Sequence, residues 1–171
     1  MKGDITMKSI ETKRLILRAF TLEDWSDVRE LALDWSKAPG PAFDKLPTSH
    51  EETKELTAFF AESDQYLAVY LRETKKVIGL IALNKFDENQ RLDVGHIILG
   101  KYQDNDIDQE ALGAAVDYVF ESKGTLAILT HNAPEHDEQI APLKSMGFKN
   151  TNQEDMGEFV LTKVEWEKRK S

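Results

Sequence analysis

A mixed α/β domain is predicted for this chain of 171 residues. Three observations predict it. Leu15 and Leu17 alternate with Arg14, Ile16 and Arg18, which is the period of a half-buried strand. Ala111, Leu112, Ala115, Val116, Val119 and Phe120 recur at the spacing of one helix face. Between and around them, short β-prone runs alternate with capped helical segments in the order β-α-α-β-β-β-α-β-α-β-β.

The first strand is expected over Glu11–Phe20. Thr21 is a good N-cap, with Asp24 three residues on in the capping-box position, for a helix over Leu22–Leu33. Pro39-Gly40-Pro41 and Pro47 make a loop of Ser36–Pro47. Thr48 or Ser49 then caps a second helix reaching Ala61. Three strands follow, Tyr66–Leu71, Val77–Asn84 and Arg91–Leu99, the first two joined by a polar turn, Arg72–Lys76, as a hairpin. In the third, Val94, Ile97, Ile98 and Leu99 suggest burial on both faces. A polar loop, Tyr102–Asp108, leads to the central helix. Another apolar run, Leu126–Thr130, precedes a short helix ending near Met146, with Gly147 as its C-cap and Pro142 interrupting it. Phe148–Lys149 and Glu158–Val164 are the last strand candidates, with Trp166 packing them down.

Composition narrows the function. The apolar fraction of 40% and charged fraction of 31% fit a soluble globular domain over residues 1–171. No apolar run is long enough to span a bilayer, so no membrane partner is expected. The N-terminal MKGDITMKSI has no signal-peptide pattern, and a cytoplasmic location is expected. The absence of cysteine excludes disulfides, thiolate catalysis and cysteine-ligated zinc. A formal net charge of −9 argues against nucleic acid and weakly favours cationic partners such as amines or basic peptides, although service to solubility is by itself the stronger reading of the acidity.

The segment Arg91–Val119 runs strand, loop, helix. Such a unit presents free backbone N–H groups at the helix N-terminus to an anion such as pyrophosphate. Here the loop holds Asp104, Asp106 and Asp108 and no glycine. Asp and Asn tolerate the left-handed region, so the backbone path of a phosphate loop is preserved. Alternatively Asp104, Asn105 or Asp106 caps the helix and fills its anion site from within.

Order and residues together resemble the GNAT superfamily of acetyl-CoA-dependent N-acetyltransferases, in the branch of ribosomal-protein N-terminal acetyltransferases. The resemblance lies in Ile10–Arg18 followed by Phe20–Asp24, in Lys76-Val77-Ile78-Gly79, and in Leu92-Asp93-Val94-Gly95-His96. It continues in Glu110-Ala111-Leu112 with Asp117–Phe120, and in Met146-Gly147-Phe148-Lys149. It implies a central, mostly antiparallel, twisted sheet of six or seven strands flanked by about four helices. It implies acetyl-CoA as co-substrate, no metal, and a small-molecule amine or a peptide N-terminus as acceptor, in a monomer or homodimer. Gln103 matches the first residue of the family's pyrophosphate loop, while Asp104 and Asp106 stand where its glycines are expected. The family's Asn, Ser and Tyr of the later helix fall on His136, Gln139 and Leu143.

The resemblance also assigns a site. Ile97, Ile98 and Leu99 would pair with the cofactor's pantetheine in the space before the strand at Leu126–Thr130. Gln103, Asp104, Asn105, Asp106, Ile107 and Asp108 would line its phosphates, and Asn132 and His136 the opening beyond. A bulge near Ile97 or Ile98 would supply an oxyanion N–H. Asp93 and His96 are the catalytic candidates, on opposite strand faces unless a bulge intervenes. Trp35 and Phe43 fall where relatives build the acceptor pocket, or else are buried aromatics of a rigid connector. A metal site from His131, Glu135 and His136 is the weaker alternative to a hydrogen-bonded loop. The alternative function is a GNAT-fold binding or regulatory protein that does not use acetyl-CoA.

Overall fold

The computed structural model describes residues 9–42, 45–152 and 157–170; for residues 85, 86, 104, 105 and 152 it describes the backbone alone. Phe43 lies outside the described residues. One sheet of eight strands organises these residues, in the order β1-β2-β3-β4-β5-β6-β8-β7. The strands are β1 (Ile10–Glu11), β2 (Leu15–Arg18), β3 (Tyr66–Leu71), β4 (Lys76–Phe86), β5 (Arg91–Ile98), β6 (Ala127–Asn132), β7 (Lys149–Asn152) and β8 (Gly157–Thr162). The helices are α1 (Trp25–Trp35), α2 (His50–Glu62), α3 (Ile107–Ser122), α4 (Asp137–Ser145) and α5 (Lys163–Lys170). Every ladder is antiparallel except β5 with β6. Among the described residues no helix is long and apolar enough to cross a membrane.

Several expected elements change shape. The single strand foreseen over Glu11–Phe20 is a hairpin, because Thr12 N–H donates to Leu15 O at 2.9 Å and Leu15 N–H to Thr12 Oγ1 at 3.1 Å. The first helix opens with a 3₁₀ turn, Leu22–Asp24, and runs on to Trp35. Thr21 N–H donates to Asp24 Oδ2 at 2.8 Å, as the spacing foretold. Ser49 is the cap of α2, accepting from Glu52 N–H at 3.2 Å. Most of the expected loop Tyr102–Asp108 is a 3₁₀ turn, Gly100–Asn105, joined through Asp106 to α3. Pro142 does not break α4, which continues to Ser145. The last strand ends at Thr162 and gives way to α5, where Trp166 stacks on Phe120 of α3 at 5.1 Å and donates to Asp117 at 2.7 Å.

The core lies on both faces of β3 and β4, where Leu67, Ala68, Val69, Val77, Ile78, Leu80 and Ile81 are all buried. β5 is different. Leu92, Val94, His96 and Ile98 are buried, while Arg91, Asp93, Gly95 and Ile97 are half-buried, so the expected burial of both its faces does not hold. The buried side packs with α3, whose Leu112, Val116, Val119 and Phe120 are 0–2% exposed. Burying side chains of this size contributes about 1.5–3 kcal/mol each.

Two tethers fix the elements that carry the site. Gly79 of β4 faces Ile98, and an added Cβ would sit 2.7 Å from the carbonyl oxygen of Ile97. Only glycine lets β5 approach so closely. Glu110, in the first turn of α3, accepts from Thr12 Oγ1 at 2.5 Å, Arg14 N–H at 2.9 Å and Arg14 Nε at 2.8 Å. Burial pushes its carboxyl up, but these three donors outweigh it and hold it below the ordinary glutamate value of 4.5. A depressed carboxylate adds stability above its unfolded pKa and loses it as pH falls through the folded one. We therefore expect Glu110→Gln to cost about 1–3 kcal/mol at pH 7. In paired urea titrations the gap from wild type should close below about pH 4; a gap constant down to pH 3 would show that the charge plays no part.

Candidate active site

β5 and β6 pair only at their beginnings, Arg91–Asp93 with Ala127–Leu129. Each then stays with its other neighbour. β5 keeps regular register with β4 from Val94 to Ile98, and β6 keeps register with β8 out to Asn132 with Gly157. The two central strands separate and leave a gap in the sheet. Backbone direction alternates along a strand. Leu99 N–H donates to Ile78 O at 2.9 Å, so Ile97 also turns its polar groups to β4. His96 and Ile98 turn theirs into the gap. The bulge expected near Ile97 or Ile98 is not there; the register shift lies between Leu83 and Phe86 of β4. The N–H that sequence reasoning placed at either residue is therefore that of Ile98. The side chains of Ile98 and Leu99 are buried in the core and only their backbone borders the gap.

Gln139 of α4 reaches into the gap. Its amide nitrogen donates to the carbonyl of His96 and lies 3.0 Å from His96 Nδ1. Its oxygen accepts from Gln103 at 3.4 Å. These contacts use both amide hydrogens, so Nδ1 of His96 is an acceptor and the proton sits on Nε2, which is buried without a partner among the described residues. Burial, then the neighbouring His136, hold the His96 imidazole down at about 4. His96 is thus a neutral, fixed ring on the α3 side of the sheet. A neutral ring with so low a pKa is a poor proton acceptor, so the geometry does not favour the catalytic role expected of it.

Over the gap, Trp35 at the end of α1 lies against His136, with the ring centroids 5.3 Å apart and the planes tilted by 33°. Lys45 lies over the indole at 4.8 Å and donates to the carbonyls of Trp35 and Ala38, at 3.0 and 2.5 Å. Burial holds His136 below its ordinary value, and the Lys45 charge adds to this. Trp35, Leu80, Ile97, His131, Asn132 and Gln139 border the small cavity left, of about 100 Å³. Trp35, Asn132 and His136 thus border one cavity.

At the α3 end, Asp106 has φ of 59°, the left-handed turn that a glycine usually makes. It does not cap the helix with its side chain. Asp108 does so in part, accepting from Gln109 N–H at 2.8 Å, and is buried. Ile107 points into the core, leaving only its backbone for a ligand. The side chains of Asp104 and Asn105 lie outside the description. A wider cleft of about 440 Å³ opens here, bordered by Asp34, Lys37, Gln103, Glu135, Asp137 and Glu138. The first turns of α3 and α4 both carry acids.

The opposite face holds Asp93, on the other side of the sheet from His96 as alternation requires. It is half-buried, and burial raises its carboxyl above 3.8 against the pull of His131 and Asn84. Beside it His131 of β6 lies 3.6 Å from Asp93 and 3.5 Å from Glu158 of β8. Sequence reasoning considered His131 only for a metal, and among the described residues no metal-holding group of three occurs. It missed Glu158 because the cross-strand pair His131 with Glu158 joins residues far apart in the chain.

The buried, neutral His96 makes stability depend on pH. Its unfolded form takes up a proton near 6.5 and its folded form near 4, so stability is full above 6.5 and drains away as pH falls between these values. The loss by pH 4 is about 3 kcal/mol. We expect His96→Leu to flatten this part of the pH–stability curve; an unchanged slope in thermal melts would place the titration elsewhere.

The acetyltransferase (GNAT) domain model matches residues 14–149. A relative named as an uncharacterized N-acetyltransferase, YnaD of Bacillus subtilis (strain 168), is 24% identical over 144 residues, covering 82% of each chain. An acetyltransferase of the GNAT family from Bacillus anthracis superposes with a TM-score of 0.79 at 17% identity, over 92% of this chain and 99% of that one. A ribosomal-protein-S5-alanine acetyltransferase from Vibrio fischeri gives 0.77 at 17% identity, over 93% and 98%. With the domain match spanning most of its length, this chain belongs to the acetyltransferase (GNAT) family.

Proposed function

We propose that the chain is an N-acetyltransferase that moves an acetyl group from acetyl-CoA to an amine, on a small molecule or a peptide N-terminus. The observation that supports this best is the contact of Gln139 with the His96 carbonyl. The gap between β5 and β6 already holds an amide group against a backbone acceptor, which is the chemistry an extended amide-bearing arm needs. When bound, acetyl-CoA supplies an activated thioester carbonyl. The His96 carbonyl and the Ile98 N–H would hold its amide arm. The first N–H groups of α3, after the turn at Asp106, would face its diphosphate. Trp35 and the cavity beside Ile97 and His131 lie on the acceptor side. Cytoplasmic location and a monomeric or dimeric state belong to the same proposal.

The fit is uneven along the cofactor. The arm would meet backbone groups, but phosphates in the neighbouring cleft would face Asp34, Glu135, Asp137 and Glu138, with Lys37 also on its border. One carboxylate about 5 Å from a phosphate charge costs about 1 kcal/mol in a water-like medium. Two or three such pairs weaken binding roughly ten- to a hundredfold. That handicap is what favours the second reading, a binding protein without acetyl transfer. It reduces affinity without removing the backbone donors, so the enzyme reading stands first.

Calorimetric titration with acetyl-CoA and a turnover assay over a panel of amines decide between them. We expect weak binding that tightens as salt screens the carboxylates. Affinity falling steeply with salt would mean that cations dominate the site. Gln139→Ser removes the side chain that occupies the His96 carbonyl, and acetyl-CoA affinity should rise several-fold. Unchanged affinity would show that Gln139 does not compete with the ligand. Binding without turnover on every amine would favour the binding protein.

A further inference from the structure

Resting on the N-acetyltransferase reading, we infer that His131 accepts the proton of the acceptor ammonium, with Asp93 orienting its ring and Glu158 holding the ammonium beside it. Three neighbouring strands contribute one residue each. His131 and Glu158 are direct partners across β6 and β8, and Asp93 pairs with Leu129, two residues before His131 on the same face. The ring is half-exposed and borders the cavity that also touches Ile97 and Trp35. It is therefore accessible both to an acceptor in that cavity and to solvent.

The two ring nitrogens have different neighbours. Nδ1 lies 3.6 Å from Asp93 Oδ2, and Nε2 lies 3.5 Å from Glu158 Oε2. With the Nδ1 proton directed to Asp93, Nε2 carries a lone pair. Nε2 and the Glu158 carboxylate are then two acceptors side by side with no hydrogen between them. That pair suits a group with several N–H donors, and a protonated amine satisfies both at once. One carboxylate thus lies at each ring nitrogen, Asp93 at Nδ1 and Glu158 at Nε2. Among the described residues the charged groups that face the ring are these two.

The step balances. The ammonium gives one proton to Nε2, and its freed lone pair attacks the thioester carbonyl carbon. The C–N bond forms and the C–S bond breaks. The second proton leaves the nitrogen as the amide forms and converts the departing thiolate to thiol. The proton on His131 returns to solvent through the exposed edge of the ring. Asp93 touches His131 rather than the amine and is a positioning residue, which revises its place among the catalytic candidates.

The test compares His131→Asn, His131→Ala, Asp93→Asn, Glu158→Gln and the double variant Asp93→Asn/His131→Asn. His131→Asn should lower turnover by roughly 10²–10⁴ while acetyl-CoA binding by calorimetry stays as in wild type. Added imidazole should restore part of the rate in His131→Ala. Asp93→Asn should lower turnover less, and the double variant should be no slower than His131→Asn alone, since both act on one ring. Glu158→Gln should raise KM for the amine more than it lowers kcat. Without any acyl donor, titrating 1,4-diaminobutane or an alanine-ended tripeptide should move the ring ¹⁵N signals of His131, and less so in Glu158→Gln. Wild-type rates in His131→Asn, or a full Asp93→Asn loss persisting in the His131→Asn background, would overturn the inference and return the role to Asp93. Absence of both acetyl-CoA binding and turnover in wild type would instead remove the acetyltransferase reading itself.

Discussion

The separation of β5 from β6 is the constraint on which the rest depends. A sheet that stayed paired would satisfy every backbone group internally and offer nothing to a ligand. Here the parallel ladder stops after Asp93 and Leu129 because each strand follows its antiparallel neighbour, β4 on one side and β8 on the other. The gap is therefore a consequence of two well-paired halves rather than a defect in either. Its cost is a set of backbone groups at His96 and Ile98 that need partners, and Gln139 supplies one.

The surrounding packing keeps that gap in place. Gly79 allows β5 to lie close against β4. Asp27 of α1 accepts from Val77 N–H at 2.9 Å, and Asp34 of the same helix from Gly100 N–H at 2.8 Å. One helix thus holds the start of β4 and the end of β5, and its last residue, Trp35, lies over the cavity. Glu110 ties the first turn of α3 to the β1–β2 hairpin, so the helix N-terminus at the end of β5 is anchored from the far edge of the sheet.

What was legible in the sequence was local or periodic. Alternation at Leu15 and Leu17, the Thr21–Asp24 and Ser49 caps, and Gly147 with its φ of 94° all act within a few residues, and all are found as expected. The left-handed turn at Asp106 agrees with the tolerance of Asp and Asn for that region, whereas the side-chain cap also read for Asp106 is not made. The misses have non-local causes. Lys163–Lys170 has no buried residue of its own and is positioned through Trp166 on Phe120 and Asp117, which periodicity cannot reveal. The His131–Glu158 pair depends on knowing that β6 lies beside β8. Gln139 stood out as a departure from the family pattern, yet its partner, the His96 carbonyl, is a backbone atom with no signature in the residue alphabet.

The acids at the α3 and α4 N-termini show how stability and ligand binding compete for the same groups. Asp108, Glu110, Asp137 and Glu138 complement two helix dipoles, each favourable by about 0.3–1 kcal/mol when exposed. An incoming phosphate would seek the same N–H groups and the same dipoles. Glu110 escapes the conflict by turning to Thr12 and Arg14, whereas Asp108 remains on Gln109 N–H. Asp137 and Glu138 border the mouth itself. The N–H groups proposed to hold a phosphate thus stand beside side chains that stabilise the free protein and would oppose the phosphate's charge. Across the sheet, the carboxylates of Asp93 and Glu158 would have the opposite consequence for the ammonium proposed to bind beside His131. On the proposed reading, the acidity that would weaken the donor end would suit the acceptor end, and a net charge of −9 would serve an amine substrate better than a polyphosphate one.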